Sequence, residues 1–330
     1  MKEKRNYLLY VLFSLLLVVG IVICVISFNF GQDVANNEDS GVVENKVTPL
    51  MYEVTKDGSD NKIYLFGSIH VGEEMIYPSY VENAYKDSDY LAVECNVLNE
   101  LNNLFNGEVS EEKSNYYEDG SLLKDHLSKD TYNKLIKYLK DNDLYAEDLE
   151  NYTVKAIIDL LELYAISFSN LDVFEGVDIH FLRKARNDGK TILEVESIEF
   201  QNELLNSFPE RIYVIELDEL VNDVRELKNG VMELFDAWKK GDPEIILKLS
   251  NEEPSLEDKE KYSKDDIDLI SDYNKKMLDD RNIGMTDKFE EYFNSNKKVF
   301  FTVGAAHLVG EKGIANLLIQ RGYNVVQVNK

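Results

Sequence analysis

Residues Tyr7 to Phe28 form 22 consecutive positions without a charge, and nothing else in the chain so narrows what it can become. At 1.5 Å per residue such a run makes about 33 Å of helix, enough to cross a hydrocarbon layer of roughly 30 Å. Only Ser14, Gly20 and Ser27 interrupt its bulky apolar pattern. Lys2, Lys4 and Arg5 precede the run, and Asp33, Glu38 and Asp39 follow it. The positive-inside rule then leaves the N-terminus in the cytoplasm and the rest of the chain outside. A cleaved signal peptide is the rival reading. Against it, the run is longer than a usual signal core, no small-x-small site follows, and Cys24 is preceded by Val22 and Ile23. The expected organisation is a cytoplasmic tail over 1–6, one transmembrane anchor over 7–28, a polar tether over 29–49, and an extracellular domain over 50–330, held at the cell membrane by a single pass.

The remainder carries most of the 62 acidic and 36 basic residues, a formal net charge of −26. A polyanion of this size repels nucleic acid, whose backbone is bound through lysine and arginine patches that are absent here. The acidity is read as solubility of an exposed domain. Beyond Cys24 there is only Cys95, so no disulfide staples the domain and the fold rests on its core.

Along the domain, Lys62–Gly67 is a short β-branched and aromatic run ending in glycine, and it reads as a buried strand. Pro78 and Ser79 open a helix to about Lys86, with Glu82 in capping-box spacing from Ser79. Tyr90–Cys95 is the next strand, which makes a βαβ unit with parallel strands. Residues 132–139 and 154–168 show apolar side chains at three and four spacing, so a helical insert is expected at about 98–171, with 107–120 as a loop. A helix over 178–187, a strand over 191–196, a long helical region from Pro209 to about Lys240 with Trp238 packed inward, and a helix over 267–278 follow. The chain closes with a strand over 298–303, a turn over 304–310, a helix over 311–320 and a strand over 323–328. The expected class is α/β, with α+β as the alternative: a central mixed sheet, surrounding helices, and strand–GxxH–helix halves near both ends.

The chain has four histidines. Two stand in matched settings, Gly67-Ser-Ile-His70 and Gly304-Ala-Ala-His307, each just past an apolar strand. Sites in parallel α/β sheets form at the carboxyl ends of strands. Glu94 ends the strand that follows His70, so the three side chains are expected to emerge on one sheet edge. Two imidazoles and a carboxylate are a ligand set for a catalytic divalent ion. Spacing alone favours a structural role for such residues, since a histidine at a strand end also caps a carbonyl. The duplicated setting moves the reading toward metal. Glu94 inside Ala92-Val93-Glu94-Cys95 is costly to bury without a positive partner. His126 reads as a surface residue; His180 lies near Glu175 and Asp178 and is left open.

These residues, taken in order, resemble the TraB/GumN family, which includes the animal TIKI proteases that cleave Wnt proteins. The match comprises Gly67-Ser-Ile-His70, Glu94, Gly176-Val-Asp178, Gly189-Lys190, Glu196, Gln201, Arg281-Asn282, Met285, Gly304-Ala-Ala-His307, Gly310 and Gly322-Tyr323, over about residues 50–330. The resemblance implies a metal-dependent hydrolase with manganese, cobalt or zinc, built from two related halves. It implies that His70, His307 and Glu94 hold the metal, with Glu94 as ligand or general base. Glu196, Arg281 and Asn282 fall at further polar positions of the catalytic set, and Asp178 stands behind a ligand. Arg281 is read either as a group for a substrate carboxylate or oxyanion, or as the partner that neutralises Glu196. Asn282 is read as orienting a ligand or water. Ser68 replaces the threonine common in the family. The expected reaction is hydrolysis of peptide or amide bonds outside the cytoplasm. The alternatives are a non-catalytic, membrane-anchored binding or signalling module, and a small-molecule esterase.

Overall fold

A computed structural model describes residues 47–98, 115–222, 224–250 and 261–328. The tail, the anchor and nearly all of the tether lie outside the described residues, as does part of the expected insert. Among the described residues no helix is long and apolar enough to cross a membrane.

Six strands build one sheet: β1 (Met51–Thr55), β2 (Lys62–Ser68), β3 (Tyr90–Val93), β4 (Thr191–Glu194), β5 (Val299–Gly304) and β6 (Asn324–Gln327). Their order is β4-β3-β5-β2-β1-β6. β5 pairs in parallel with both β2 and β3, and β3 in parallel with β4. β1 is antiparallel to β2 and to β6, so it alone runs against the rest. The mixed sheet of the sequence reading is thus present, with two differences. The β1 strand was not foreseen, because Met-Tyr-Glu-Val-Thr has only a weak alternation. The strands β2 and β3 are parallel as expected but not neighbours, since β5 enters between them from the far end of the chain.

Strand alternation decides the layers. Phe300 turns to one face and meets Phe66, Tyr85 and Phe181. Its neighbour Phe301 turns to the other face and meets Phe289 and Tyr292. Both are fully buried, and each such ring contributes about 1.5–3 kcal/mol by leaving water. The first face is covered by α1 (Ser79–Asp87) and α2 (Val177–Asp188), the second by α3 (Arg281–Asn294). Helices on both faces are what a buried, near-continuously apolar parallel strand requires.

Local chemistry sets most helix ends. Ser128, Thr153, Ser197 and Ser263 each accept a bond from the backbone N–H three residues on, as N-caps do. The expected Ser79–Glu82 capping box is not formed. Pro78 takes the cap position with extended backbone, and Glu82 instead accepts from Lys184 at 2.7 Å. The helical region expected over 209–240 is present as two helices, Glu210–Leu220 and Val224–Lys240. It breaks where the Asn222 amide reaches back to the Asp218 carbonyl. The insert holds Leu123–His126, Lys129–Asp141 and Val154–Ser167, and the last of these packs on the two helices just named. His126, read as a surface residue, is half-buried: it stacks on Tyr117 and binds both Glu210 and Ser121. Residues 264–294 run as one helical segment, Lys264–Asn274, a π-helical stretch Lys275–Asp280, and α3. Gly304–Gly310 is not only a turn, since Ala305–Leu308 closes one helical turn.

Candidate functional site

Four adjacent strands, β4-β3-β5-β2, point their carboxyl ends the same way, and each delivers a polar side chain just beyond its last residue. These are Glu196, Glu94, His307 and His70. Past the strand ends the ladder continues for two residues. Val195 N–H donates to the Val93 carbonyl at 2.9 Å and Glu196 N–H to the Glu94 carbonyl at 2.8 Å. That pairing sets the two glutamates side by side. The two GxxH segments pack directly on each other: a Cβ on Gly67 would come within 2.9 Å of the Ala305 Cβ, so glycine there permits the approach. The indole of Trp238 seals the same place, donating to the Gly67 carbonyl at 2.9 Å.

Arg281 enters from the head of α3, straight after the π-helical stretch; such irregular turns recur at functional sites. Its Nη2 reaches Glu94 Oε2 at 2.7 Å and Glu196 Oε2 at 2.8 Å, and its Nε reaches Glu196 Oε1 at 3.0 Å. Of the two roles left open for Arg281, this geometry is that of neutralising Glu196, and it extends to Glu94. The other Glu94 oxygen accepts from the Gly304 N–H at 2.6 Å and lies 3.9 Å from His307 Nε2. Gln201, 2% exposed, completes the group. Its amide donates to Glu196 Oε2 at 3.0 Å and to Glu94 Oε2 at 3.4 Å, and its carbonyl accepts from Cys95 Sγ. The sequence reading carried Gln201 only as a family position. Its place on a helix face five residues past Glu196 was the signal for a role.

The two imidazoles are held alike. Nδ1 of His70 meets Asp178 Oδ2 at 2.6 Å, and Nδ1 of His307 meets Asn282 Oδ1 at 2.6 Å. The Asn282 amide nitrogen donates to the Lys312 carbonyl at 3.0 Å. This fixes which end of the amide faces the ring, so His307 carries its proton on Nδ1. Asn282 therefore orients an imidazole, and Asp178 stands behind His70 as the sequence suggested. A cross-braced histidine of this kind, with its other nitrogen free, is how metal-binding histidines are usually held.

The free nitrogens are the notable part. Nε2 of His70 and Nε2 of His307 are both buried without a hydrogen-bond partner, and so are the hydroxyls of Ser68 and Thr302 on the same two strands. Buried polar atoms are normally satisfied, so a group of orphans marks the place of a water, ion or ligand. The charge balance points the same way. Glu94 and Glu196 share one guanidinium, and Asp178 pairs with His70, so carboxylates outnumber the cations of the group. Burial by itself would raise the Glu94 carboxyl; His307, Arg281, His70 and the Gly304 N–H hold it down at about 2. His307 is lowered to about 3 by burial and then by Arg281, against the pull of Glu94. At neutral pH His307 is thus uncharged, and the guanidinium and the Gly304 N–H keep Glu94 ionised. Burial lowers His70, but Asp178 outweighs it by charge and hydrogen bond, and the net direction is up.

Two imidazoles each held at Nδ1, with Nε2 unpartnered among the described residues, beside surplus carboxylate fit a divalent cation. Glu94 is the nearest carboxylate to His307, yet both of its oxygens are already engaged by Arg281 and Gly304. Among the described residues no three His, Cys, Asp or Glu side chains are gathered in metal-site spacing. An ion here would meet the two histidines as donors, with Glu94 as the adjoining charge.

The sequence model of the TraB/PrgY/gumN family matches residues 50–327. Neither the curated proteins nor the solved structures contain a significant match to the chain.

Proposed function

This chain belongs to the TraB/PrgY/gumN family, and from that membership and the site above we propose that it is a metal-dependent hydrolase of peptide or amide bonds. The observation that carries the reading is the pair of buried imidazoles, each braced at Nδ1 and each presenting an unpartnered Nε2. His70 and His307 would hold a manganese, cobalt or zinc ion. Such an ion acidifies water and polarises a carbonyl. Asp178 and Asn282 keep the ring nitrogens aimed and fix the tautomer of His307. Glu94, held ionised by Arg281 and the Gly304 N–H, is a weak proton acceptor; its part in this arrangement is charge, close to His307. Arg281 and Gln201 keep Glu94 and Glu196 apart from bulk water and in register. The apolar run over 7–28 supports an anchored chain whose hydrolase domain lies outside the cell membrane.

The test is metal analysis of the purified full-length chain and of its His70→Ala/His307→Ala form, with turnover assayed on peptide mixtures with added manganese, cobalt or zinc. The expected result is a bound divalent ion and peptide cleavage, both lost in the double variant. Equal metal content and equal cleavage in the two proteins would overturn the reading.

One observation favours a second reading. His70, Glu94, Arg281 and His307 are at most 6% exposed, which suits a closed, non-catalytic module for binding or signalling. Metal retention without turnover of peptides, esters or lactones would support it.

A further inference from the structure

A separate cavity of about 350 Å³ opens beside this centre, lined by Glu73, Glu74, Met75, Tyr77, Glu175 and His180. Its walls are the segments that flank the His70–Asp178 pair. Glu73 to Tyr77 follow His70 directly, so the Glu73 Cα lies no more than about 11 Å from that of His70. Glu175 precedes Gly176, where an added Cβ would stand 2.5 Å from the His70 carbonyl oxygen. The cavity thus adjoins the backbone of the metal-facing histidine.

Apart from Glu73, which has Lys239 at 3.8 Å, its polar groups are uncommitted. Glu74 and Glu175 are exposed, and their carboxylates have no partner among the described residues. Of the cations on α2, Lys184 pairs with Glu82, and Arg183 donates to the neutral Phe174 carbonyl beside Glu175. The Tyr77 side chain lines the cavity and is only 6% exposed, and its hydroxyl has no partner among the described residues. His180 Nε2 is also buried without a partner. The rings of Tyr77 and His180 meet at a 39° tilt with centroids 4.5 Å apart, and Met75 completes an apolar wall. The buried His180 Nε2 and the Tyr77 hydroxyl, open beside two exposed carboxylates, offer acceptors that suit a donor-rich cation. The aromatic pair and the thioether suit the methylene stem that carries it.

We infer that this cavity is a cation subsite, which takes the ammonium or guanidinium of a lysine or arginine side chain next to the bond that the His70 centre cleaves. The inference rests on the hydrolase reading for its substrate and on the cavity alone for its chemistry. At about 350 Å³ the space is at the small end of ligand sites, which matches one side chain rather than a folded partner.

The experiment uses the full-length chain in detergent with a fluorescent pentapeptide, Ala-Ala-Lys-Ala-Ala, and its norleucine analogue. Binding is read by anisotropy without metal and cleavage is read with manganese. The lysine peptide is expected to bind at least about tenfold more tightly, the equivalent of roughly 1.4 kcal/mol. Glu74→Gln/Glu175→Gln should reduce that preference to near unity, and Tyr77→Phe should reduce it in part. Equal binding of the two peptides by the unaltered chain, or a preference that survives the double variant, would overturn the subsite. Spermidine binding tightly while the lysine peptide does not would overturn the peptide as its source. A glutamate-dependent lysine preference without any cleavage would uphold the subsite and count against the hydrolase. Cleavage with no preference for charge would do the reverse.

Discussion

Arg281→Met tests the central electrostatic arrangement. The guanidinium stands 2.7 Å from Glu94 and 2.8 Å from Glu196, and is itself 3% exposed. At an effective dielectric of about 20, each of these pairs is worth roughly 6 kcal/mol of attraction, offset by the cost of taking three charges out of water. Methionine keeps much of the volume and removes the charge. Two carboxylates, one at each of Glu94 and Glu196, would then lie buried beside each other with only Gln201 and the Gly304 N–H for partners. Removing one member of a buried charge group costs about 3–5 kcal/mol. For larger domains each kcal/mol moves the midpoint by about 2–4 °C, so the expected fall in Tm is about 6–20 °C. The assay is thermal and denaturant unfolding of the full-length chain at neutral pH and fixed detergent. Adding Glu196→Gln should restore part of the loss, because one of the stranded charges is then gone. If Arg281→Met unfolds within about 1 kcal/mol of the unaltered chain, or if Glu196→Gln adds a further independent loss, the reasoning is refuted.

Asp178→Asn should weaken manganese or zinc binding by about 10–100-fold, since the carboxylate behind the His70 ring is lost; isothermal titration of the intact chain measures this, and unchanged affinity would contradict the brace. Acid should destabilise the metal-free chain in a defined window. Both Glu94, at about 2, and His307, at about 3, sit below their ordinary values of 4.5 and 6.5. The unfolded chain therefore binds more protons as pH falls, first on His307 below 6.5 and then on Glu94 below 4.5. Stability should fall as pH drops from about 6.5 toward 2, where both groups are protonated in the folded chain too, as read from denaturant midpoints against pH. Gly67→Val should cost about 1–3 kcal/mol or more by forcing the two GxxH segments apart, with a matching loss of metal affinity. Trp238→Phe removes the bond to the Gly67 carbonyl and should cost about 1–3 kcal/mol, visible in the same unfolding assay.

Much of the site was legible because its signals are local. An apolar strand ended by glycine and then histidine is readable at His70 and at His307, and a carboxylate closing an apolar strand is readable at Glu94. The resemblance also marked Asp178 and, as one of two roles, Arg281 as the partner of Glu196. Where a local signal misled, a non-local contact had outweighed it: Glu82 left its capping box for Lys184, and Tyr117 and Glu210 half-bury His126.

By itself, then, the sequence determined that strand ends would carry two histidines and a glutamate, since strand periodicity and turn chemistry act over a few residues. Only the tertiary structure decided which of those ends would be neighbours. The insertion of β5 between β2 and β3 brings His307 to His70 and Glu94. The fork of Arg281 closes on Glu94 across 187 positions, and His70 finds Asp178 across 108. Those choices follow from burying both faces of one sheet at once. That requirement acts on the whole chain, so no window of the sequence contains it.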